Sequence, residues 1–431
     1  MRKSIMIFGA AFLLSSMSSF AQFRSGDKSG INVFETPKTD VPFDGVKVKI
    51  GGGFTQSFQT LDHSNTADPK MVAGVNQNEL ISLVPGFNLA SANLALKTQL
   101  ADGVALNMEL YLASRHHNET WVRGGFIQFD KVPFLKSEFI DNIMKYTTLK
   151  VGQMEVNYGD AHFRRSDGGN SIYNPFVENY IIDEFATEVG AEVDVQYNGF
   201  LVVGALTNGK LKGDIVEVTP VDGATNGKHN PAIIGKIGYD NEVMENLRVR
   251  LTGSVYHTAG SVANTLFWGD RTGSHYFGVM DYAAPGTGNA WSGRYNPGLS
   301  DKVTALMGNL FVKFHGLEWF STLESASGRA KTEITGERNM SQFATDLVYR
   351  FGNNENFWVG ARYNTATAAV AATTPYDVTI DRISASAGWF VTKNVMTKVE
   401  YVNQDYKNFV ASDIRNGGNF KGLVIEAVVG F

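Results

Sequence analysis

Charged residues recur at every second position inside otherwise apolar stretches of this chain, an arrangement suited to electrostatic work on a passing solute. On one parity stand Lys47, Lys49, Lys97, Lys150, Lys236, Arg248, Arg250, Lys313, Arg350, Arg362, Arg382 and Lys398. The same parity of other stretches carries Glu109, Glu188, Glu192, Asp194, Glu318, Glu324, Asp346, Glu400 and Glu426. Fixed charges of both signs on one face of extended chain orient dipoles and filter ions when that face lines a channel. Bond-making chemistry has no comparable footing. No nucleophile elbow, phosphate-binding loop or paired-histidine helix occurs, and no Ser/His or Asp/His set can be placed at one height. His116 and His117 are adjacent, so they point apart, and no carboxylate or third histidine stands nearby to complete a metal site. Asn118-Glu119-Thr120 matches a glycosylation acceptor but has little meaning behind a bacterial-type leader. We therefore expect no enzyme activity, no metal and no cofactor.

The elements that must position these charges are strands. In the last one, Leu423, Ile425, Ala427, Val429 and Phe431 are apolar, while Gly422, Glu426 and Gly430 on the other face are small or charged. One side suits lipid and the other water. The same alternation, bounded by Asn-Gly, Asp-Gly and Lys-Asn turns, predicts about sixteen strands, beginning at Val46. Around Val122 to Phe129 a strand is expected, but its parity is ambiguous. Short and long connections alternate, the long ones being Thr60 to Phe87, Glu155 to Thr187, Asn208 to Pro231 and His257 to Thr304. Outer-membrane barrels place short turns in the periplasm and long loops outside, so an even strand count puts both termini in the periplasm. Asp130 to Tyr146 is longer than that rule prefers. Trp319, Phe357, Trp389 and Phe431 fall near the ends this topology calls periplasmic, with Tyr363 and Tyr401 toward the other end, as interfacial girdles require. The expected fold is all-β, a transmembrane antiparallel barrel.

Composition agrees. Glycine numbers 45 against 11 prolines, aromatics are 12%, and the mean hydropathy of −0.14 is what alternating lipid-facing and lumen-facing residues average to. A formal net charge of −5 gives no electrostatic footprint for nucleic acid, and the absence of cysteine excludes disulfides and thiolate chemistry. Met1-Arg2-Lys3, the apolar run from Ile5 to Leu14 and Ser19-Phe20-Ala21 read as an export signal over 1–21. Residues 22–45 then form a periplasmic N-terminal extension whose role is opaque, and 46–431 form the barrel.

Sixteen strands enclose a bore wide enough for water. Once the barrel closes, Arg350, Arg362, Arg382, Lys398, Lys47, Lys49 and Lys97 form one mainly basic arc, with Glu188, Glu192 and Asp194 well around the wall. This predicts a transverse field. The connection from Glu155 to Thr187 carries Arg164, Arg165, Asp167, Glu178, Asp183 and Glu184 among several aromatics, too many for a plainly disordered loop, and is the expected constriction.

The leader, the strand rhythm, terminal Phe431 and the run Leu149-Lys150-Val151-Gly152-Gln153 before a long loop resemble the phosphate-selective porin O and P group of bacterial outer-membrane porins. The resemblance implies a homotrimeric, water-filled channel in outer-membrane lipid, with an inward-folded loop and a basic conduction path. The mixed lumen charges here depart from that group's basic ladder. The expectation is passive diffusion of small hydrophilic solutes or ions. The alternative is a structural barrel, serving adhesion or secretion, whose long external loops bind a partner.

Overall fold

The computed structural model describes residues 24–38, 42–113, 120–211, 229–283, 291–333, 336–371 and 375–431. The export signal, the His116–His117 pair and most of the glycosylation-like triplet lie outside them.

Sixteen antiparallel strands close into one barrel. In chain order they are β1 (Lys47–Ser64), β2 (Ser91–Ala101), β3 (Val104–Ala113), β4 (Trp121–Phe129), β5 (Thr147–Glu155), β6 (Thr187–Tyr197), β7 (Phe200–Thr207) and β8 (Ala232–Met244). They continue with β9 (Leu247–Thr258), β10 (Lys302–Phe314), β11 (Leu317–Arg329), β12 (Arg338–Phe351), β13 (Phe357–Ala369), β14 (Asp377–Phe390), β15 (Val395–Lys407) and β16 (Asn419–Gly430). Each pairs with its chain neighbours. Closure falls on β1, whose first half pairs with β2 from Lys47 opposite Gln99 to Thr55 opposite Ser91. Its second half pairs with β16, from Gly53 opposite Gly430 to Ser64 opposite Asn419. A further short strand, Gly86–Phe87, lies against β1.

Why the sequence closes this way is visible in β12. Its even-numbered residues from Arg338 to Arg350 are buried, and Phe343, Leu347, Tyr349 and Phe351 are exposed outward. That period of two is the pleat of a strand with one face in lipid. Leu323 and Ile237, each 65% exposed, show the same outward face on β11 and β8. At the short-turn end Tyr349, Phe351, Phe357 and Trp389 stack in a near-parallel row with centroids 5.8–6.0 Å apart. The turn at Asn198-Gly199 has both residues at positive φ, the geometry that matches strand twist and favours this dipeptide.

The long short-end connection between β4 and β5 holds a helix, α1 (Glu138–Met144), whose start is capped by the Ser137 hydroxyl accepting from the Ile140 N–H. No helix of the described residues is long and apolar enough to cross a membrane. The ambiguous parity of β4 also has a cause. Its register against β3 slips where Glu109 faces Gly124 and Leu110 faces Val122, so Arg123 is bulged. A bulge shifts the alternation by one residue and re-aims a side chain.

The barrel is not hollow. Residues 24–38, the connection 156–186 and the described parts of 259–301 occupy its interior. Phe34 packs with Tyr180, Phe311 and Phe320; Ile172, Tyr173 and Phe176 pack with Trp358, Phe390 and Met396. Val177, Ile181 and Ile182 join Leu266, Phe267 and Tyr276 in the largest cluster.

Candidate functional site

A loop inside a barrel must satisfy its backbone without helix or sheet, since a buried unpaired N–H or C=O is costly. Here the wall side chains do this. Glu400 accepts from the Val177 N–H at 2.8 Å, Asn364 from Ile181 at 2.7 Å and Gln342 from Ile182 at 2.9 Å. In the other direction Arg362 donates to the Glu178 carbonyl at 2.6 Å, Arg382 to the Asn179 carbonyl at 2.7 Å and Lys398 to the Phe176 carbonyl at 2.7 Å. The polar parity of β12 to β15 is thus a rack on which the connection 156–186 is hung.

The connection binds itself and the outer loop through charge. Arg165 grips Asp167 at 2.6 Å and also bonds Asp183. Arg294 of the 259–301 loop reaches Asp183 at 2.7 Å and Glu178 at 2.8 Å. Burial would lift the Glu178 carboxyl, but Arg294, His275 and Arg382 outweigh it and hold it well below the ordinary carboxylate value. Arg164 lies over the Phe320 ring at 4.9 Å.

The expected basic arc takes a different form from free lumen charge, because its members on β12 to β15 are engaged locally. Arg350 pairs with Glu318 at 2.8 Å, Arg362 with Asp346 at 2.7 Å and Lys398 with Glu426 at 3.0 Å, while Arg382 is spent on backbone carbonyls and Gln404. Across the barrel Lys150 takes both Glu192 at 2.6 Å and Asp194 at 2.7 Å, and Glu188 accepts from Thr207 and Tyr256. Arg248 pairs with Asp240 at 2.7 Å, and Lys47 with Asp44. Lys49, Lys97 and Glu109 instead line cavities between the β1–β5 wall and the interior segments.

Several interior residues were not singled out from sequence. Glu35 of the N-terminal segment meets Lys236 at 2.9 Å and Arg250 at 2.7 Å, and Asp160 joins both cations. The two cations hold Glu35 down to about 2 against the upward push of burial. Arg123 reaches Glu109 at 2.7 Å and Asp270 at 2.8 Å. The signal for the 259–301 loop was present in its own residues: Leu266, Phe267, Trp268, Tyr276, Phe277, Val279 and Met280 are too apolar for a segment left in water.

Glu184, like Glu188, has no cation among its partners. Its carboxyl accepts from Gln342 and faces Glu324, which accepts from Tyr158 at 2.9 Å. Burial, then the Glu324 carboxylate, raise Glu184 well above the ordinary carboxylate value. A carboxyl whose folded value lies above the unfolded one favours the fold fully below the unfolded value of about 4.3. That contribution is lost as pH rises from there through the raised folded value. The heat resistance of the folded barrel in a gel shift is therefore expected to fall at alkaline pH, as the ionised pair pushes the connection off β11. Glu184→Gln should flatten the dependence; an unchanged pH profile in that variant would exclude this pair as its source.

No family model matches the chain, and no curated protein matches it. Among solved structures, a loop-deleted form of OmpT, an outer membrane protein of Vibrio cholerae, is similar over 90% of this chain and 100% of its own, with 11% identity and a TM-score of 0.52. OmpT folded in vitro aligns over 91% of this chain and 99% of its own, with 12% identity and a TM-score of 0.51. The outer membrane channel DcaP of Acinetobacter baumannii covers 90% and 98%, with 10% identity and a TM-score of 0.48, too low to carry weight. At these identities the likeness speaks for shape, and the shape is the barrel fold of Gram-negative outer-membrane proteins.

Proposed function

We propose that this chain is an outer-membrane porin held closed by its own interior segments, and that it passes small hydrophilic solutes or ions when they shift. In this reading the short-turn end and both termini face the periplasm. The observation that carries it is the chemistry of the filling. A 16-strand barrel is wide enough for an aqueous bore, and what occupies it is held to the wall by ion pairs and hydrogen bonds as well as by the apolar clusters around Phe34, Phe176 and Val177. The polar contacts can be exchanged for water at low net cost. The phosphate specificity of the group it resembles finds less support, because Arg350, Arg362 and Lys398 are each matched by a carboxylate.

The close filling also favours a second reading, a permanently plugged barrel that displays its outer loops to a partner. Planar-bilayer recording of the purified chain separates the two. Discrete conductance steps are expected for the porin; a silent membrane under voltage and across pH, with correctly folded protein inserted, would leave the anchor.

A further inference from the structure

Where they face β1 to β5, the interior segments touch the wall at Gly53, Thr55, Tyr111 and Arg123 and leave a seam of cavities between these contacts. One cavity of about 130 Å³ is lined by Arg24, Lys49, Lys97, Asn93, Tyr173 and the glycine runs at 51–53 and 168–169. A second, of about 170 Å³, is lined by Lys97, Asn107, Glu109, Arg123, Gln153 and Glu155. Both include Ala95, Lys97 and Glu109, so they follow one another along the wall.

The seam holds polar atoms without partners. Arg24 Nη2, Asn107 Nδ2 and Glu109 Oε1 are buried and unbonded, although Arg24 donates through Nε to the Gly30 carbonyl and Glu109 receives Arg123 on its other oxygen. Asn107 as a whole is only 9% exposed. Buried polar atoms in native structures are nearly always satisfied, so such a set marks a place for water or a ligand. The pattern is specific. Asn107 and Glu109 are two apart on β3 and share a face, one offering a donor and the other an acceptor. A hydroxyl, which donates and accepts, answers both. At the other end Arg24, Lys49 and Lys97 answer a carboxylate.

We propose that this seam binds a small hydroxylated carboxylate, of the sugar-acid class, with the carboxylate at Arg24 and Lys49 and hydroxyls at Asn107 and Glu109. A dianion without hydroxyls fits worse, since it leaves Glu109 unanswered and faces the Glu109 and Glu155 carboxylates. The glycines are part of the site. A Cβ on Gly53 would lie 2.5 Å from Gly169 Cα, so the connection 156–186 can touch β1 there because Gly53 has no side chain.

The proposal deepens the porin reading, but its test does not depend on conduction. Calorimetric titration of the detergent-solubilised chain with D-glucuronate should show saturable binding, with D-glucose, acetate and inorganic phosphate each weaker. Lys49→Gln should weaken glucuronate binding about tenfold, the scale of one lost hydrogen bond to a charged group, and Asn107→Ala several-fold, the scale of a neutral one. Lys49 is only half-buried, so its variant keeps the test alive if the Asn107 change harms folding. Absence of saturable binding, phosphate binding as tightly as glucuronate, or unaltered affinity in both variants would overturn the proposal. A barrel that binds glucuronate yet shows no conductance refutes the porin reading and leaves the seam standing.

Discussion

If the barrel is the porin proposed, deleting residues 24–38 is expected to raise its single-channel conductance several-fold. The segment is anchored at many points. The Lys28 N–H donates to the Lys393 carbonyl at 2.8 Å, Asn32 donates to Glu318 at 2.5 Å, and Lys38 donates to the carbonyls of Asp130, Met144 and Thr147. Phe34, 3% exposed, sits edge-on to Phe163 and Phe311 with Arg250 4.2 Å above its ring. Removing it empties a volume at the short-turn end and leaves Lys236 and Arg250 with less negative charge than they now have. The deletion also takes away Arg24, Lys28 and Lys38 against Asp27 and Glu35, so a shift of selectivity toward anions is expected from the loss of Glu35 alone. The single change Glu35→Ala isolates the electrostatic part. Breaking a buried pair strands its partners and costs about 3–5 kcal/mol, here at the lower end because Asp160 remains beside both cations. Lower melting in the barrel's heat-dependent gel shift would report that cost. Unchanged conductance in the deletion would mean that 156–186 and 259–301 close the bore without help.

How far the sequence reaches can be judged from particular residues. Strand periodicity is local, so the face of Glu426 or Arg362 follows from its neighbours, and the parity reading placed both inward, where they are found. The bulge at Arg123 broke that rule, because it shifts the alternation by one residue and leaves the sequence with a parity that cannot be assigned. The interior position of 156–186 was legible from aromatics too numerous for a water-exposed loop. The same argument applies to 259–301, and it needed only Leu266, Phe267 and Tyr276 to be weighed as Tyr173 and Phe176 were. Segment 24–38 was harder. Its anchoring contacts are hundreds of residues away in sequence, as with Asn32 and Glu318, and nothing within it announces a partner. Pairing was the other blind spot: a list of inward charges gives the sign of a wall but not which cation is already matched, as Arg350 is by Glu318 and Arg362 by Asp346.

Whether 156–186 must move for a solute to pass can be decided with one reversible bond. The Thr55 hydroxyl donates to the Ser171 hydroxyl at 2.9 Å, which joins β1 to the connection next to the glycine contact. Side chains whose terminal oxygens touch are within reach of a disulfide, and the chain has no cysteine of its own to compete. The double variant Thr55→Cys/Ser171→Cys is expected to lose nearly all conductance when oxidised and to recover it on adding reductant. The reasoning is one of space. The cavities along β1 to β5 hold a solute, but the rest of the bore is occupied by a segment pinned to β12–β15 through Arg362, Arg382 and Lys398. Tying its other side to β1 fixes it at both edges. Reduced protein serves as its own control, so a folding defect cannot mimic the effect. If oxidised and reduced forms conduct alike, the connection is a fixed lining, passage runs through the seam as it stands, and opening must be sought in 24–38 or in the outer loop held by Arg294.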